Sequence, residues 1–102
     1  MATALALYNT PTNPAEFDAY YLLKHAPLAK GLPGLRSYEI SAGAVLTPAG
    51  SAPYHLIAVL RFDTMSDLQA ALASPTGQEV VADLENFATG GVSVLLFDDQ
   101  PV

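Results

Sequence analysis

The chain has 102 residues, of which 51% are hydrophobic and only 14% are charged, and its formal net charge is −6 at pH 7. With 4 lysines and arginines in total, it cannot present a basic surface to nucleic acid or to an anionic membrane. It has no cysteine, which excludes disulfides and thiolate chemistry and fits a cytoplasmic protein. We expect one domain with a modest core over residues 1–102.

The N-terminal region predicts a strand followed by an amphipathic helix. Side chains alternate over Thr3–Tyr8, as they do along a strand. Asn13 is then placed to cap a helix, and Pro14 suits the first helical position. Glu16 stands where a capping-box glutamate reaches back to the cap, so the helix start is well marked.

Pro27 interrupts this helix pattern. A proline disfavours helical geometry at the residue before it, and its ring clashes with the carbonyl four residues earlier. We therefore expect the helix to end or kink at His25. Unpaired carbonyls at a helix end favour a cation, so the pKa of His25 is expected to rise.

The remaining elements complete a β-α-β-β-α-β order. Alternation predicts strands over Leu35–Ala44, Tyr54–Asp63 and Val92–Phe97, with a loop over Leu46–Pro53. Two short helices lie between the last strands, one capped by Ser66 and one opened by Ser74-Pro75, and Gly90-Gly91 stops the second. This order indicates an α+β, ferredoxin-like protomer with both helices on one face of an antiparallel sheet.

The later strands are apolar on both faces. Alternation places Leu56, Ala58 and Leu60 on one face of the third strand, and His55, Ile57, Val59 and Arg61 on the other. A sheet covered by helices on one side is normally polar on its free side. We therefore predict a homodimer in which two sheets pack face to face as a dimeric α+β barrel.

His25 is the first candidate for chemistry. Tyr21 lies four residues earlier on the same helix face, so the two side chains can share a pocket. One interpretation is a general acid or base beside an aromatic wall. The other is a histidine that merely caps the carbonyls of the helix end.

His55 and Tyr38 are the next candidates. We predict that both strands bring these residues to His25, in one cavity between the first helix and the sheet, where two imidazoles divide proton transfer and a phenol polarises a carbonyl. The register of the strand determines whether His55 reaches this cavity, since a slip of one residue turns its side chain to the opposite face of the sheet. His55 as a rim or interface residue is the alternative. A metal site with Glu39 or Asp63 is weakly indicated, because no short histidine spacing supports it, so we expect no metal or other cofactor.

Three segments together resemble the EthD family, named for ethyl tert-butyl ether degradation. They are FDAYYLLKHAPLAKGLPGLRSYEIS, PYHLIAVLRFD and ALASPTGQEVVADLENFATGGVSVLLF, and they include the H-x-P-L element at His25-Ala26-Pro27-Leu28. The resemblance implies a dimeric α+β barrel, a bacterial catabolic setting and a loose link to oxidoreductase systems. A methylmuconolactone isomerase is similar in pattern, and its acid/base residues fall on His25, Tyr38 and His55 here. That enzyme also uses a cysteine, which this chain lacks.

Taken together, the residues and the resemblance favour a cofactor-independent enzyme of isomerase or oxidoreductase type, acting on a hydrophobic cyclic or aromatic-derived carbonyl compound. His25 is the predicted acid/base, His55 its partner and Tyr38 the polarising group. Tyr21, Tyr20 and Phe87 are the predicted substrate-binding residues. The alternatives are a non-catalytic accessory or carrier protein for a monooxygenase system, and a purely structural dimer.

Overall fold

The computed structural model describes all 102 residues. In chain order the elements are β1 (Ala2–Asn9), α1 (Pro14–Tyr20), a π-helical turn (Tyr21–His25), α2 (Ala26–Ala29), β2 (Ser37–Ile40), β3 (Leu46–Thr47), β4 (Gly50–Ser51), β5 (Tyr54–Phe62), α3 (Met65–Ala73), α4 (Pro75–Asp83), a 3₁₀ turn (Leu84–Asn86) and β6 (Val92–Asp98). No helix among them has both the length and the apolar character that crossing a membrane demands.

Four strands form one antiparallel sheet in the order β2-β5-β1-β6. This order, with helices between β1 and β2 and between β5 and β6, is the ferredoxin-like arrangement that the sequence predicted. The even-numbered residues of β1 and β5 share one face, because Ala4 pairs with Leu60 and Ala6 with Ala58. That face carries the buried side chains and lies under the helices.

The core between helices and sheet consists of two apolar clusters. At one end Phe62 and Leu68 are completely buried. At the other end Tyr8, Phe17 and Tyr21 pack together with Phe87. The strands between these clusters present alanines to the helices, namely Ala4, Ala6 and Ala58. Their small side chains leave space in the middle of the core, which is where a cavity lies.

The predicted helix break at His25 is wrong. The chain stays helical from α1 through the π turn to α2, with right-handed helical backbone angles at Tyr21, His25 and Ala26. The π turn ends directly before Pro27, and the N–H of Ala26 bonds to the carbonyl of Tyr21, five residues back. A π turn loosens the hydrogen-bond pattern of a helix. The proline, which has no N–H to donate, is therefore accommodated without ending the helix.

Some smaller boundaries also differ from the predictions. The second strand is limited to Ser37–Ile40, and the predicted loop contains the short hairpin β3-β4. Thr64, not Ser66, caps α3, because its hydroxyl accepts from the N–H of Asp67. The predicted cap at Asn13 is confirmed by the N–H of Glu16 bonding to its side chain, at 3.2 Å.

A β-bulge sits at the start of β5. Tyr8 pairs with Leu56 while Asn9 pairs with Tyr54, so His55 is an extra residue without a partner on β1. Simple alternation groups His55 with Ile57 on the face away from the helices. A bulge re-aims a side chain, and here the imidazole of His55 reaches the first helix.

The sheet face away from the helices is apolar and open. Val59 and Leu5 pair across this face and are half-buried. Leu95 and Phe97 of β6 lie on the same face and are 49% and 41% exposed. At one end of the face, Asp99 bonds to the hydroxyl of Thr3 and to Arg61.

Candidate functional site

A cavity of about 60 Å³ lies between the sheet and the helices. The alanines of β1 and β5 form its floor, while Val80 and Leu84 of the last helical segment form part of its roof. Tyr21 and Tyr38 also line it. Every lining residue is apolar or aromatic except His25, so a single imidazole faces an apolar space.

His25 is paired with a carboxylate that the sequence did not indicate. Its Nδ1 lies 2.9 Å from Oδ2 of Asp83, and the residue is only 3% exposed. Asp83 also accepts a hydrogen bond from the hydroxyl of Tyr20, at 2.6 Å, and one from the side-chain amide of Asn86, at 2.9 Å. Three donors therefore hold this carboxylate in place.

The environment sets the protonation of this pair. Burial lowers the pKa of His25 and outweighs the opposite influence of Asp83. Burial tends to raise the pKa of Asp83, but the hydrogen bonds from Tyr20, Asn86 and His25 lower it further than burial raises it. A neutral imidazole beside an anionic carboxylate donates its Nδ1 proton. Nε2 is then an unprotonated base, and it has no hydrogen-bond partner within the chain.

The predicted rise in the pKa of His25 is therefore wrong. It assumed a helix end at this residue, with free carbonyls favouring a cation. The helical run continues to Ala29 instead, so His25 does not lie at a helix end. Burial then dominates and favours the uncharged ring.

A pair of phenols faces the same cavity. The hydroxyls of Tyr21 and Tyr38 are hydrogen-bonded to each other. Burial is the first cause that raises the pKa of each phenol, so both remain protonated at neutral pH. In such a pair one hydroxyl donates and the other keeps its own proton for a further acceptor. The pair can thus donate a hydrogen bond to an oxygen atom in the cavity.

Tyr20 and Phe87 support His25 and are not among the residues that line this cavity. The ring of Phe87 packs on the imidazole, with centroids 4.6 Å apart, and stacks on Tyr20 at 5.4 Å. Tyr20 acts through its hydroxyl, which holds Asp83. Of the three predicted substrate-binding residues, the structure brings only Tyr21 to the cavity wall.

One sequence feature could have pointed to Asp83. The last helical segment has an apolar stripe through Val80, Leu84 and Phe87, and Asp83 lies on its margin. A carboxylate at such a position needs a buried partner. The partner is 58 residues away in the chain, however, and only the fold identifies it as His25.

His55 lies in a different place, a wide cleft of about 530 Å³. The cleft is bounded by the first helix, the start of β5 and the segment that contains β3 and β4. His55 Nε2 is 2.7 Å from Oδ1 of Asp18, and its ring meets Phe17 edge-on at 5.0 Å. The structure thus brings His25 and Tyr38 together and separates them from His55. Tyr21 is the one aromatic residue that borders both spaces.

The side chains do not gather as metal ligands. No group of three or more His, Cys, Asp or Glu side chains converges anywhere in the chain. Asp63, considered with Glu39 as a possible ligand, instead forms an ion pair with Arg36.

The sequence of residues 9–91 matches the EthD domain family. The chain belongs to the EthD family. It is 38% identical over 97 residues to an uncharacterised 11.0 kDa protein in the thcB–thcC intergenic region of Rhodococcus erythropolis, which covers 94% of this EthD chain and 92% of the relative.

Two solved structures have a fold similar to that of this chain. An EthD family protein of Bacillus halodurans is 27% identical, with a TM-score of 0.89 over 98% of this chain and 99% of that one. SnoaB, a cofactor-independent oxygenase of Streptomyces nogalater, is 16% identical, with a TM-score of 0.69 over 99% of this EthD chain and 94% of SnoaB. At that identity the likeness extends to the fold alone.

Proposed function

We propose that this EthD protein is a cofactor-independent enzyme that moves a proton on a hydrophobic, cyclic carbonyl compound, in a catabolic or biosynthetic pathway for small molecules. The observation that carries the proposal is the neutral, buried His25, oriented by Asp83 and facing an apolar cavity. A base whose pKa is lowered by burial and whose orientation is fixed by a carboxylate is suited to proton removal near neutral pH.

In the proposed step, Nε2 of His25 removes a proton from the carbon next to the carbonyl group. The electron pair of that C–H bond moves into the carbonyl, and the resulting enolate oxygen receives a hydrogen bond from the Tyr21–Tyr38 pair. Asp83 stabilises the imidazolium that forms. In a substrate with a double bond β,γ to the carbonyl, the charge of the enolate extends to the γ-carbon, and transfer of the proton from Nε2 to that carbon completes an isomerisation.

An oxidation by dioxygen that begins with the same proton removal is the related alternative. The fold similarity to SnoaB supports it only in showing that this architecture accommodates a cofactor-independent oxygenase. The position of His25 and the phenol pair would serve either outcome, because both begin from an enolate.

The cavity must widen to admit a ring. Its volume of about 60 Å³ is below the roughly 150 Å³ of a cavity that binds benzene. Val81 and Val94 border the cavity and are 51% and 48% exposed, which places its mouth between α4 and β6. We propose that the substrate enters there as these side chains change rotamer.

The test is hydrogen–deuterium exchange at the carbon next to a carbonyl, followed by NMR in D₂O with α-tetralone as the probe. The protein should accelerate exchange. His25→Asn keeps a donor for Asp83 but lacks the base, so exchange should fall at least about a hundredfold. Asp83→Asn should also lower exchange, since an amide N–H facing Nδ1 forces the proton onto Nε2.

Asp98→Asn is the matched control, because Asp98 lies on β6, is exposed and has no side-chain partner. It should exchange the probe like the wild type. Binding of the probe without faster exchange would identify a carrier, the accessory role considered above, and would overturn the enzyme proposal.

We also propose a homodimer joined through the open sheet face. Leu95 and Phe97 leave an apolar surface exposed there, and a specific interface should bury more than about 1,000 Å². Light scattering should give twice the 10.7 kDa chain mass, and Leu95→Glu should convert the dimer to monomers. Leu23→Glu is the matched control on the helix surface, since Leu23 is 73% exposed; a wild-type monomer would contradict the proposal.

A further inference from the structure

The wide cleft around His55 has the size of a ligand site. Its volume of about 530 Å³ falls within the roughly 300–1,000 Å³ of small-molecule pockets. Small residues make this room, because Gly43, Ala44 and Ala52 line the wall opposite the first helix. Leu22 and Val45 add apolar surface on facing sides.

Several polar groups in the cleft have free hydrogen-bonding capacity. His55 uses Nε2 toward Asp18, and its Nδ1 has no partner within the chain. With a neutral ring, the Nε2 proton goes to the carboxylate and Nδ1 is an acceptor. Thr10, Ser51 and Tyr54 also line the cleft, and their hydroxyls are not bonded to other protein groups.

The charge of the cleft limits what it can hold. None of its lining residues is Lys or Arg, and the carboxylate of Asp18 is 56% exposed at its rim. An anionic ligand would meet repulsion from this carboxylate and find no cation to offset it. A neutral molecule with a hydroxyl group meets an acceptor nitrogen, hydroxyl partners and apolar walls.

A β-bulge in the backbone directs the side chain of His55 into the cleft. His55 is the extra residue of the β-bulge in β5. Regular alternation would have placed it with Ile57 on the open sheet face. Bulges that redirect one side chain occur preferentially beside functional sites.

We propose that this cleft is a second small-molecule site, separate from the cavity at His25, which binds a neutral, hydroxylated aromatic or alicyclic compound. The ligand hydroxyl donates to Nδ1 of His55, and its ring packs against Leu22 and Val45. This proposal stands whether or not His25 is a catalytic base, because it uses none of that cavity's polar groups.

The experiment is a titration of the ¹⁵N-labelled full chain with naphthol and, separately, with naphthoate, which differs in carrying a charge. It is run at about pH 8. Naphthol should shift the amide signals of residues 43–45, 51, 52 and 54–56 and the ring nitrogen signals of His55. Naphthoate should bind at least about tenfold more weakly.

A substitution separates the hydrogen bond from the apolar contact. His55→Phe keeps a ring against Phe17 but removes both ring nitrogens, Nδ1 and the Nε2 that contacts Asp18, and should weaken naphthol binding about tenfold. Wild-type binding is mapped directly, so a His55→Phe protein that fails to fold leaves the proposal testable. Three results would each overturn the proposal of a site at His55. They are equal binding of naphthol and naphthoate, shifts confined to the His25 cavity or the open sheet face, and the absence of a saturable shift at millimolar naphthol.

Discussion

The molecule contains two histidine–aspartate pairs that differ mainly in their access to water. At His25–Asp83 the side chains are 4% and 12% exposed, and the two atoms lie 2.9 Å apart. At His55–Asp18 they are 21% and 56% exposed, at a distance of 2.7 Å. The two distances are similar, although His25 uses Nδ1 and His55 uses Nε2. The imidazole of His25 also packs against two aromatic rings, those of Tyr21 and Phe87.

This difference shows that a histidine–aspartate contact does not define a chemical role by itself. Removal from water holds His25 neutral beside a charged carboxylate, which is the state a base requires. At the exposed pair the contact with Asp18 occupies only Nε2, so Nδ1 of His55 stays available to a ligand. We therefore propose proton transfer for the buried pair and ligand binding for the exposed one.

The largest expected difference between the pairs is in stability. Asp83→Ala removes a carboxylate that accepts three hydrogen bonds and leaves His25 buried without a partner, so the free energy of unfolding should fall by about 2 kcal/mol. Asp18→Ala should cost less than about 1 kcal/mol, since exposed pairs contribute little. Urea unfolding of both variants measures these free energies. Equal losses of unfolding free energy would contradict the distinction between a buried and an exposed pair.

A smaller difference should appear between two tyrosines. Tyr38→Phe leaves the hydroxyl of Tyr21 in the core without its bonded neighbour, at an expected cost of about 1 kcal/mol in unfolding free energy. Tyr54→Phe removes a hydroxyl in the cleft that has no protein partner, so the cost should be within about 0.5 kcal/mol. A larger loss for Tyr54 than for Tyr38 in the same urea assay would reverse our assignment of the two regions.

The smallest expected effect is on the pH dependence of stability. Because burial lowers the pKa of His25, the unfolded chain takes up a proton first as pH falls below about 6.5, and stability should decrease there. The lowered pKa of Asp83 also makes stability decrease as the pH falls, but this loss occurs only below about pH 3.8, the ordinary pKa of an aspartate.

Urea midpoints on either side of pH 6.5 measure the contribution of His25. His25→Asn should have a flatter profile than the wild type between about pH 7.5 and 5, because Asn does not titrate. Identical slopes in the two proteins would mean that the imidazole is not held neutral by burial.

The architecture could be predicted from the sequence because strand alternation and helix caps are local. Thr3–Tyr8 and Tyr54–Asp63 gave the central strands almost residue for residue. The site was only partly predictable. His25, Tyr21 and Tyr38 could be grouped around one cavity because they are polar or aromatic residues on elements that must pack together.

The rest depended on backbone features that have no local pattern. The bulge before Leu56 moves His55 to another face, and alternation cannot reveal a residue that breaks alternation. The π turn allowed the helix to pass Pro27, where a simple steric rule predicted an end. Asp83 needed the tertiary fold to bring it to His25.

The π turn also means that one residue can be removed from this helical segment without turning the segments on either side away from the core. A π turn contains one residue more than an α-helical turn. Excising Leu23, which is 73% exposed, together with Pro27→Ala, would convert the run into a regular α-helix and keep Phe17 and Ala29 toward the core. The offset between Tyr21 and His25 would shrink from four positions to three. Removing one residue together with the proline should therefore change the relative positions of Tyr21 and His25 while the rest of the fold is kept. The number of residues in this helical segment is thus a means of altering the site without altering the core.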